Sequence, residues 1–169
     1  VSKDADITVA FEVELPELFT VTSAEYAAIH AAWCKAVKVL PDYTVVHKQD
    51  WFVKEHYRSR TEGEKLGFLS RSYELHFNER PFLNHCCYLY LTKTTKERMR
   101  MQSSFSSLCR GFIIPKEVNR DTAARFLDAA GQFARIVNDT GLVRLRRLSG
   151  DEVTGTEEQS GLLEKYLCL

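Results

Sequence analysis

The stretch from His85 to Leu91 constrains the fold more than any other part of the chain. It carries apolar or aromatic side chains on both faces of an expected strand: Cys86, Tyr88 and Tyr90 on one face, and Cys87, Leu89 and Leu91 on the other. A strand without a polar face is usually interior to a sheet and is covered on at least one side. We therefore expect an interior strand here, with the other elements arranged around it.

Two long helices are expected from capping patterns that precede apolar stripes. Thr22 and Glu25 have the spacing of a capping box, and Asn119 is placed to cap a second helix that ends near Gly141. The two stripes, one for each helix, are Tyr26, Ile29, Trp33, Val37 and Leu40, and Ala123, Phe126, Ala130, Phe133 and Val137.

The expected strands complete an α+β fold. A short helix near 72–79, stopped by Pro81, and a turn at Asn84 lie between the two halves. The order is β-α-β-β-α-β, the ferredoxin-like split βαβ plan with a small inserted helix, in which strands one and three are central and strand four is at an edge. The expected strands are residues 7–15, 43–55, 85–91 and 142–148.

The length and ends of the chain suggest one domain taken from a longer protein. We expect a single α+β domain over residues 1–148, with residues 149–169 as a linker and the start of a further helix. The chain begins at Val1 rather than Met and stops soon after an apolar-periodic segment has begun. Loops are expected at 56–67 and at the basic, serine-rich 93–107, with a short extended piece at 111–115.

Composition excludes several classes of function. Lys+Arg and Asp+Glu both number 23, so no overall field attracts nucleic acid or anionic lipid. Five cysteines, an odd number without regular spacing, are expected to be reduced thiols in a cytosolic setting. No apolar run is long enough to span a bilayer, so direct membrane insertion is not expected.

The sequence predicts no catalytic residue, metal site or cofactor site in this segment. His85, Cys86 and Cys87 are adjacent, and neighbours in a strand point to opposite faces, so they cannot grip one ion or form a nucleophile–base pair. A phosphate-binding loop is missing, since the nearest glycine pair, Gly63 and Gly67, is followed by Phe68. A small enzyme that uses a cysteine is the least supported alternative, because it requires a thiol of strongly depressed pKa.

Nucleic-acid binding is an alternative that depends on one strand and its neighbouring loop. Tyr88 and Tyr90 lie where RNA-recognition domains of this fold stack bases, and a basic segment follows from Lys93 to Arg100. The aromatic signature of those domains is absent, however, and the net charge is zero. A solvated loop is the simpler interpretation, and nucleic acid is not the expected partner.

Four residues form the candidate interaction surface: Asp50, Trp51, Glu79 and Arg80. Tryptophan and arginine commonly anchor protein interfaces. Trp51 is equally compatible with a place in the core, since tryptophan is usually well buried. Glu79 and Arg80 could also pair only with each other at a helix end, a contact of little energetic value.

Several segments resemble one bacterial family along nearly the whole chain. These are Asp6–Val13, the stretch His47-Lys-Gln-Asp-Trp-Phe, Phe68–Ser72 with His76–Pro81, Cys87–Lys93, and Asp128-Ala-Ala-Gly-Gln-Phe. They resemble the N-terminal domain of TraG-type ATPases of conjugative transposons, which are relatives of the large ATPases of type IV secretion. In other conjugation systems the same name denotes the coupling protein, a different ATPase.

The resemblance implies a docking domain rather than a catalytic one. It implies that a P-loop ATPase domain, with ATP and magnesium, follows in the parent chain, whereas this segment holds no cofactor. It further implies a cytoplasmic location peripheral to the inner membrane, contact with inner-membrane proteins of the conjugation channel, and a homo-oligomer in the full-length protein. The catalytic motifs of the family have no matching positions in these residues.

Overall fold

The computed structural model describes residues 6–57, 67–94 and 120–168. The strands within these ranges are β1 (Ile7–Glu14), β2 (Thr44–His56), β3 (Pro81–Lys93) and β4 (Arg144–Arg147). The helices are α1 (Ser23–Val39), α2 (Phe68–Asn78), α3 (Arg120–Asn138), α4 (Gly150–Thr154) and α5 (Leu162–Leu167), with a 3₁₀ turn at Leu18–Thr20.

The four strands form one antiparallel sheet in the order β2-β3-β1-β4. β1 and β3 are interior, and β2 and β4 are the two outer strands of the described sheet. In the β1–β4 ladder Phe11 lies opposite Arg147 and Glu12 opposite Arg146. The predicted α+β class is confirmed.

The chain divides into two compact units. The larger unit contains Val1–Gln49 and Tyr88–Leu169, and the smaller unit is Asp50–Cys87. The prediction of one domain over residues 1–148 followed by a linker stays a prediction. It did not anticipate the compactness of Asp50–Cys87.

The core of the larger unit lies between the sheet and α3. Phe126, Phe133 and Val137 of α3 are fully buried, and Ala130 is nearly so, which confirms four of the five positions of the predicted stripe. Phe11 of β1 is buried as well. Burying a side chain of this size stabilises the fold by roughly 1.5–3 kcal/mol, so these residues carry much of the unit's stability.

Helix α1 begins as predicted, and Trp33 of the predicted stripe lies against Phe133 of α3 with ring centroids 5.4 Å apart, but the fully buried positions lie to one side of that stripe. Thr22 and Glu25 form the capping box, with the Thr22 amide donating to Glu25 Oε2 at 2.7 Å. Its buried residues are Ala32 and Ala36, whereas Tyr26 is 67% exposed and Val37 48% exposed, so the predicted stripe is wrong at these two positions. Small side chains let two helices approach closely, and α1 packs directly on α3.

Strand β3 is longer than predicted. It begins at Pro81, and Asn84 lies within it rather than in a turn, because proline is tolerated at the first residue of a strand. The Asn84 amide donates to Glu55 Oε1 of β2 at 3.1 Å. Cys87, Leu89 and Leu91 are buried, while the opposite face is half-buried, so the expected covered strand is present.

The bounds of the other predicted elements compare with the structure as follows. Helix α2 begins at Phe68, four residues before the expected start. The strand expected at 142–148 is the shorter β4, in which Leu145 is buried between exposed Arg144 and Arg146, and Val143 just before the strand is buried as well. Residues 149–160, expected as linker, contain α4, which Ser149 and Glu152 cap. Outside the described residues lie positions 58–66 of the loop predicted at 56–67, the part of the predicted loop 93–107 after Thr94, the predicted extended piece at 111–115 and the predicted cap Asn119. His56, which was expected in the first of these loops, is the last residue of β2.

Candidate functional site

The smaller unit exposes large apolar side chains along most of its length. Helix α2 buries none of its residues, and Phe68 and Leu69 in its first turn are 83% and 80% exposed. Concentrated apolar exposure of this kind marks interaction sites in soluble proteins. Under the name apolar surface we group all of these exposed side chains, on whichever face of their strand or helix they lie: Phe52, Tyr57, Phe68, Leu69, Tyr73, Leu75, Phe77, Phe82 and Leu83.

Ring contacts hold part of this apolar surface together. The Phe77 ring lies 4.6 Å from that of Tyr73 and 6.2 Å from that of Tyr57, centroid to centroid. Tyr57 also donates its hydroxyl to Glu74 Oε1 at 3.4 Å. These contacts join α2 to the end of β2, because Tyr57 directly follows that strand. Aromatic pairs of this geometry are worth about 0.5–1.5 kcal/mol beyond their buried area.

A hydrogen-bonded histidine–aspartate pair and a ring stack lie beside each other on β2 and β3. His85 Nε2 is 2.9 Å from Asp50 Oδ1, and the Phe52 ring stacks on the His85 ring at 4.7 Å with an interplanar angle of 13°. The His85 and Asp50 side chains are both about one-third exposed, at 37% and 32%. The arrangement is accessible from solvent and fixes the orientation of Phe52.

The four predicted interface residues fall in different surroundings. Trp51 is only 8% exposed and belongs to the core, while Asp50 beside it points to the opposite face of the strand. Glu79 is the C-terminal cap of α2, with its amide donating to the Leu75 carbonyl at 3.0 Å, and Arg80 follows it on the surface. The four therefore do not make up one exposed patch.

The residues that sequence reasoning missed are the apolar ones of α2. The expected helix near 72–79 includes Tyr73 and Phe77, whereas Phe68 and Leu69 lie between the expected loop at 56–67 and that helix. Periodicity shows that a helix has an apolar side, but it does not show whether another element covers that side. A helix of 11 residues with no buried position is evident only from the structure.

The aromatic face of β3 is partly covered in the larger unit. Tyr88 lines a pocket of about 280 Å³ together with Glu12, Arg146, Glu152, Leu162 and Lys165, residues of β1, β4 and the C-terminal helices. Tyr90 lies 5.9 Å from the His47 ring, and burial raises the pKa of its hydroxyl. Helices α4 and α5 thus contribute the wall over Tyr88, so that tyrosine is not on an open platform for bases.

Arg146 is the electrostatic centre of this pocket. Its guanidinium contacts Glu12 Oε2 at 2.7 Å and Glu152 Oε1 at 2.6 Å. The Ser149 amide and Arg146 together lower the pKa of Glu152 to about 2. Two carboxylates already satisfy the guanidinium, which leaves it poorly suited to hold a phosphate.

The described residues provide neither a metal site nor a membrane-spanning helix. In residues 6–57, 67–94 and 120–168, no group of three or more His, Cys, Asp and Glu side chains could hold a metal ion. None of the helices in these ranges has the length and apolar character needed to cross a membrane. Cys34, Cys86, Cys87 and Cys168 are free thiols.

Comparison with known proteins gives one partial match. The family model is DUF3875, described as "Domain of unknown function, B. Theta Gene description", and it matches residues 1–31. That range holds β1 and the first half of α1 and does not reach the apolar surface. No curated protein and no solved structure matches the chain.

Proposed function

We propose that this chain is the non-catalytic N-terminal docking and assembly domain of a conjugative-transfer ATPase. It acts at the cytoplasmic face of the inner membrane, where it contacts inner-membrane proteins of the channel. The full-length protein forms a homo-oligomer, and ATP and magnesium bind in its downstream ATPase domain. The proposed plan of the sheet is ferredoxin-like, and the order β2-β3-β1-β4 supports it.

The observation that carries this proposal is the apolar surface of the smaller unit. Among its members, Phe68 and Leu69 are the most exposed on α2, and nothing in the described part of the unit covers them. Large apolar side chains in such numbers favour a partner that buries them over a solvated role. The resemblance of His47–Phe52 and Cys87–Lys93 to TraG-type ATPases supplies the identity of the partner class.

Binding to the channel proteins tests the docking role. We expect the chain to co-purify with one of the inner-membrane proteins encoded in the same transfer region, and Leu69→Glu to abolish the capture by placing a charge in the buried contact. Ser70→Glu is the matched control, because it adds the same charge at the neighbouring exposed position of α2. Equal capture by both variants would overturn the role of the apolar surface.

The absence of catalysis has a separate test. Residues 1–169 should show no ATP turnover, since the described residues contain no phosphate-binding loop and the sequence has no Gly-x-x-x-x-Gly-Lys-Ser/Thr pattern. Clear turnover would contradict the proposal. Reading the gene beyond Leu169 for that pattern tests the parent chain directly.

The alternative function, a nucleic-acid-binding module, has weaker support. It requires Tyr88 and Tyr90 on an accessible face, whereas Tyr88 lines the pocket beneath α4 and α5. Single-strand binding that weakens steeply with salt would favour it, because phosphate contacts release counterions.

A further inference from the structure

One face of the sheet in the larger unit carries the pocket that Arg146 lines. Phe11 of β1 is buried in the core, so Glu12, the next residue, lies on the opposite face of the sheet. Glu12 lines the pocket together with Tyr88 of β3 and Arg146 of β4, and the whole described lining belongs to the larger unit. Three adjacent strands therefore form the floor of the pocket, and α4, α5 and their connection form its walls.

The connection between α4 and α5 holds these walls in place. The Thr156 amide donates to the Gln159 carbonyl at 2.8 Å. Gly155 and Gly161 approach each other so closely that a Cβ on Gly161 would collide with the Gly155 backbone nitrogen. Glycine permits this approach because it has no side chain. The pocket is thus formed before a ligand enters, which lowers the entropic cost of binding.

The size and lining of the pocket suit a small molecule. Its volume is about 280 Å³, whereas pockets for drug-sized ligands usually have about 300–1,000 Å³. Tyr88, Leu148 and Leu162 supply apolar surface. Gln159 and Ser160 add a carboxamide and a hydroxyl, which both donate and accept hydrogen bonds.

The charged groups of the pocket are partly paired and partly free. Glu12 and Glu152 both hold the Arg146 guanidinium, so this cluster carries one net negative charge. Asp151 and Lys165 are exposed at the same pocket, and neither side chain has a hydrogen bond or ion pair within the described part of the chain. The pocket therefore offers a free carboxylate on α4 and a free ammonium group on α5.

We propose that this pocket binds a small zwitterion with an apolar side chain, either a free α-amino acid or a dipeptide. Lys165 donates to the carboxylate of the ligand. Asp151, beside the net negative charge of the Arg146 cluster, accepts from the ammonium group of the ligand. The apolar side chain of the ligand packs on Tyr88 and Leu162. This site goes beyond the docking role and does not involve α2.

Ligands that carry a single kind of charge fit the pocket less well. An anion meets the carboxylates of Glu12, Asp151 and Glu152, and a simple cation meets Arg146 and Lys165. Like charges at close range repel each other. A ligand with both charges finds an opposite partner for each of them, which offsets the cost of removing each charge from water.

A series of ligands tests the zwitterion on the unaltered chain. We expect isothermal titration calorimetry of the 169-residue chain to show saturable binding of leucine or of leucyl-leucine, and the tighter of the two identifies the free amino acid or the dipeptide as the ligand. N-acetyl-leucine lacks the ammonium group and leucinamide lacks the carboxylate. Each should bind roughly tenfold or more weakly than leucine, because a charge-assisted hydrogen bond is lost, and the matching derivatives of leucyl-leucine should lose as much.

Substitution of the two free charges tests the residues. Lys165→Met and Asp151→Asn should each weaken binding of the zwitterion roughly tenfold or more. The matched controls are Lys35→Met and Asp139→Asn, which remove the same charges from exposed positions outside the described lining. Both controls should leave binding unchanged. Leucinamide should bind Lys165→Met and wild type equally, because it has no carboxylate for Lys165 to hold.

The outcomes separate this pocket from the docking role. Failure of both zwitterions to bind, equally tight binding of their derivatives, or equal losses in Lys165→Met and Lys35→Met would overturn the proposal. None of these results changes the capture experiment with Leu69→Glu, which concerns α2. Loss of that capture with intact binding of the zwitterion would remove the docking role and leave the pocket standing.

Discussion

Glu152 shows how one side chain secures the C-terminal segment. It accepts from the Ser149 amide at 2.8 Å and from Arg146 Nη1 at 2.6 Å, so the ionised form is stabilised in the folded chain. The pKa of Glu152 is lowered to about 2 from 4.5, and its contribution to stability is therefore fully present above about pH 4.5 and is lost as the pH falls towards 2.

Glu152→Gln should therefore lower the melting temperature at neutral pH. The difference in melting temperature between wild type and variant should decrease as the pH falls from 4.5 towards 2. Thermal melts of both chains across this range check the expectation. Glu157→Gln, an exposed glutamate in the turn that follows α4, is the control and should differ little from wild type at any pH. A constant difference between wild type and Glu152→Gln at all pH values would show that the carboxylate acts by packing alone.

At the scale of elements, the structure separates what periodicity can predict from what it cannot. The α3 stripe was predictable because Phe126, Phe133 and Val137 are large and recur at helical spacing. The α1 stripe was predictable only in part: its Trp33 lies against Phe133 of α3, whereas the buried Ala32 and Ala36 give too weak a pattern to be recognised. The exposure of α2 depends on which elements reach it, and a single sequence does not specify that.

Helix α3 contains one position where the sequence is poorly suited to a helix. Gly131 lies in its interior and is exposed, and a Cβ added there meets nothing within 4 Å. Gly131→Ala should raise the free energy of unfolding by about 1 kcal/mol, because alanine loses less backbone entropy in a helix. Urea denaturation measures the change.

The control is a second glycine, Gly141, which has similar space around it but a different backbone conformation. Gly141 has equal space around its Cα but a φ of +68°, which alanine adopts only with strain. Gly141→Ala should therefore lower the free energy of unfolding by about 1–2 kcal/mol. Equal effects of the two substitutions would contradict the backbone argument.

At the scale of the whole molecule, the division into two compact units could not be predicted from the sequence. The part of β2 after Gln49 and the part of β3 before Tyr88 belong to the smaller unit. The core of that unit is small, and its buried apolar residues among those described are Trp51 and Cys87. Strand patterns specify local geometry, whereas a boundary inside two strands depends on where the helices cover the sheet. The larger unit, by contrast, has most of the buried residues.

This uneven burial predicts uneven opening of the backbone. Hydrogen exchange of α2 should occur through local opening of low free energy, since α2 buries no residue, whereas α3 should exchange only on global unfolding because Phe126, Phe133 and Val137 hold it in the core. Exchange followed by mass spectrometry, with peptides from both helices, measures the two protection levels. If docking buries Phe68 and Leu69, binding of the channel protein should slow exchange in α2 and leave α3 unchanged. Equal protection of the two helices in the free chain would mean that α2 is already covered, and the docking surface would have to lie elsewhere.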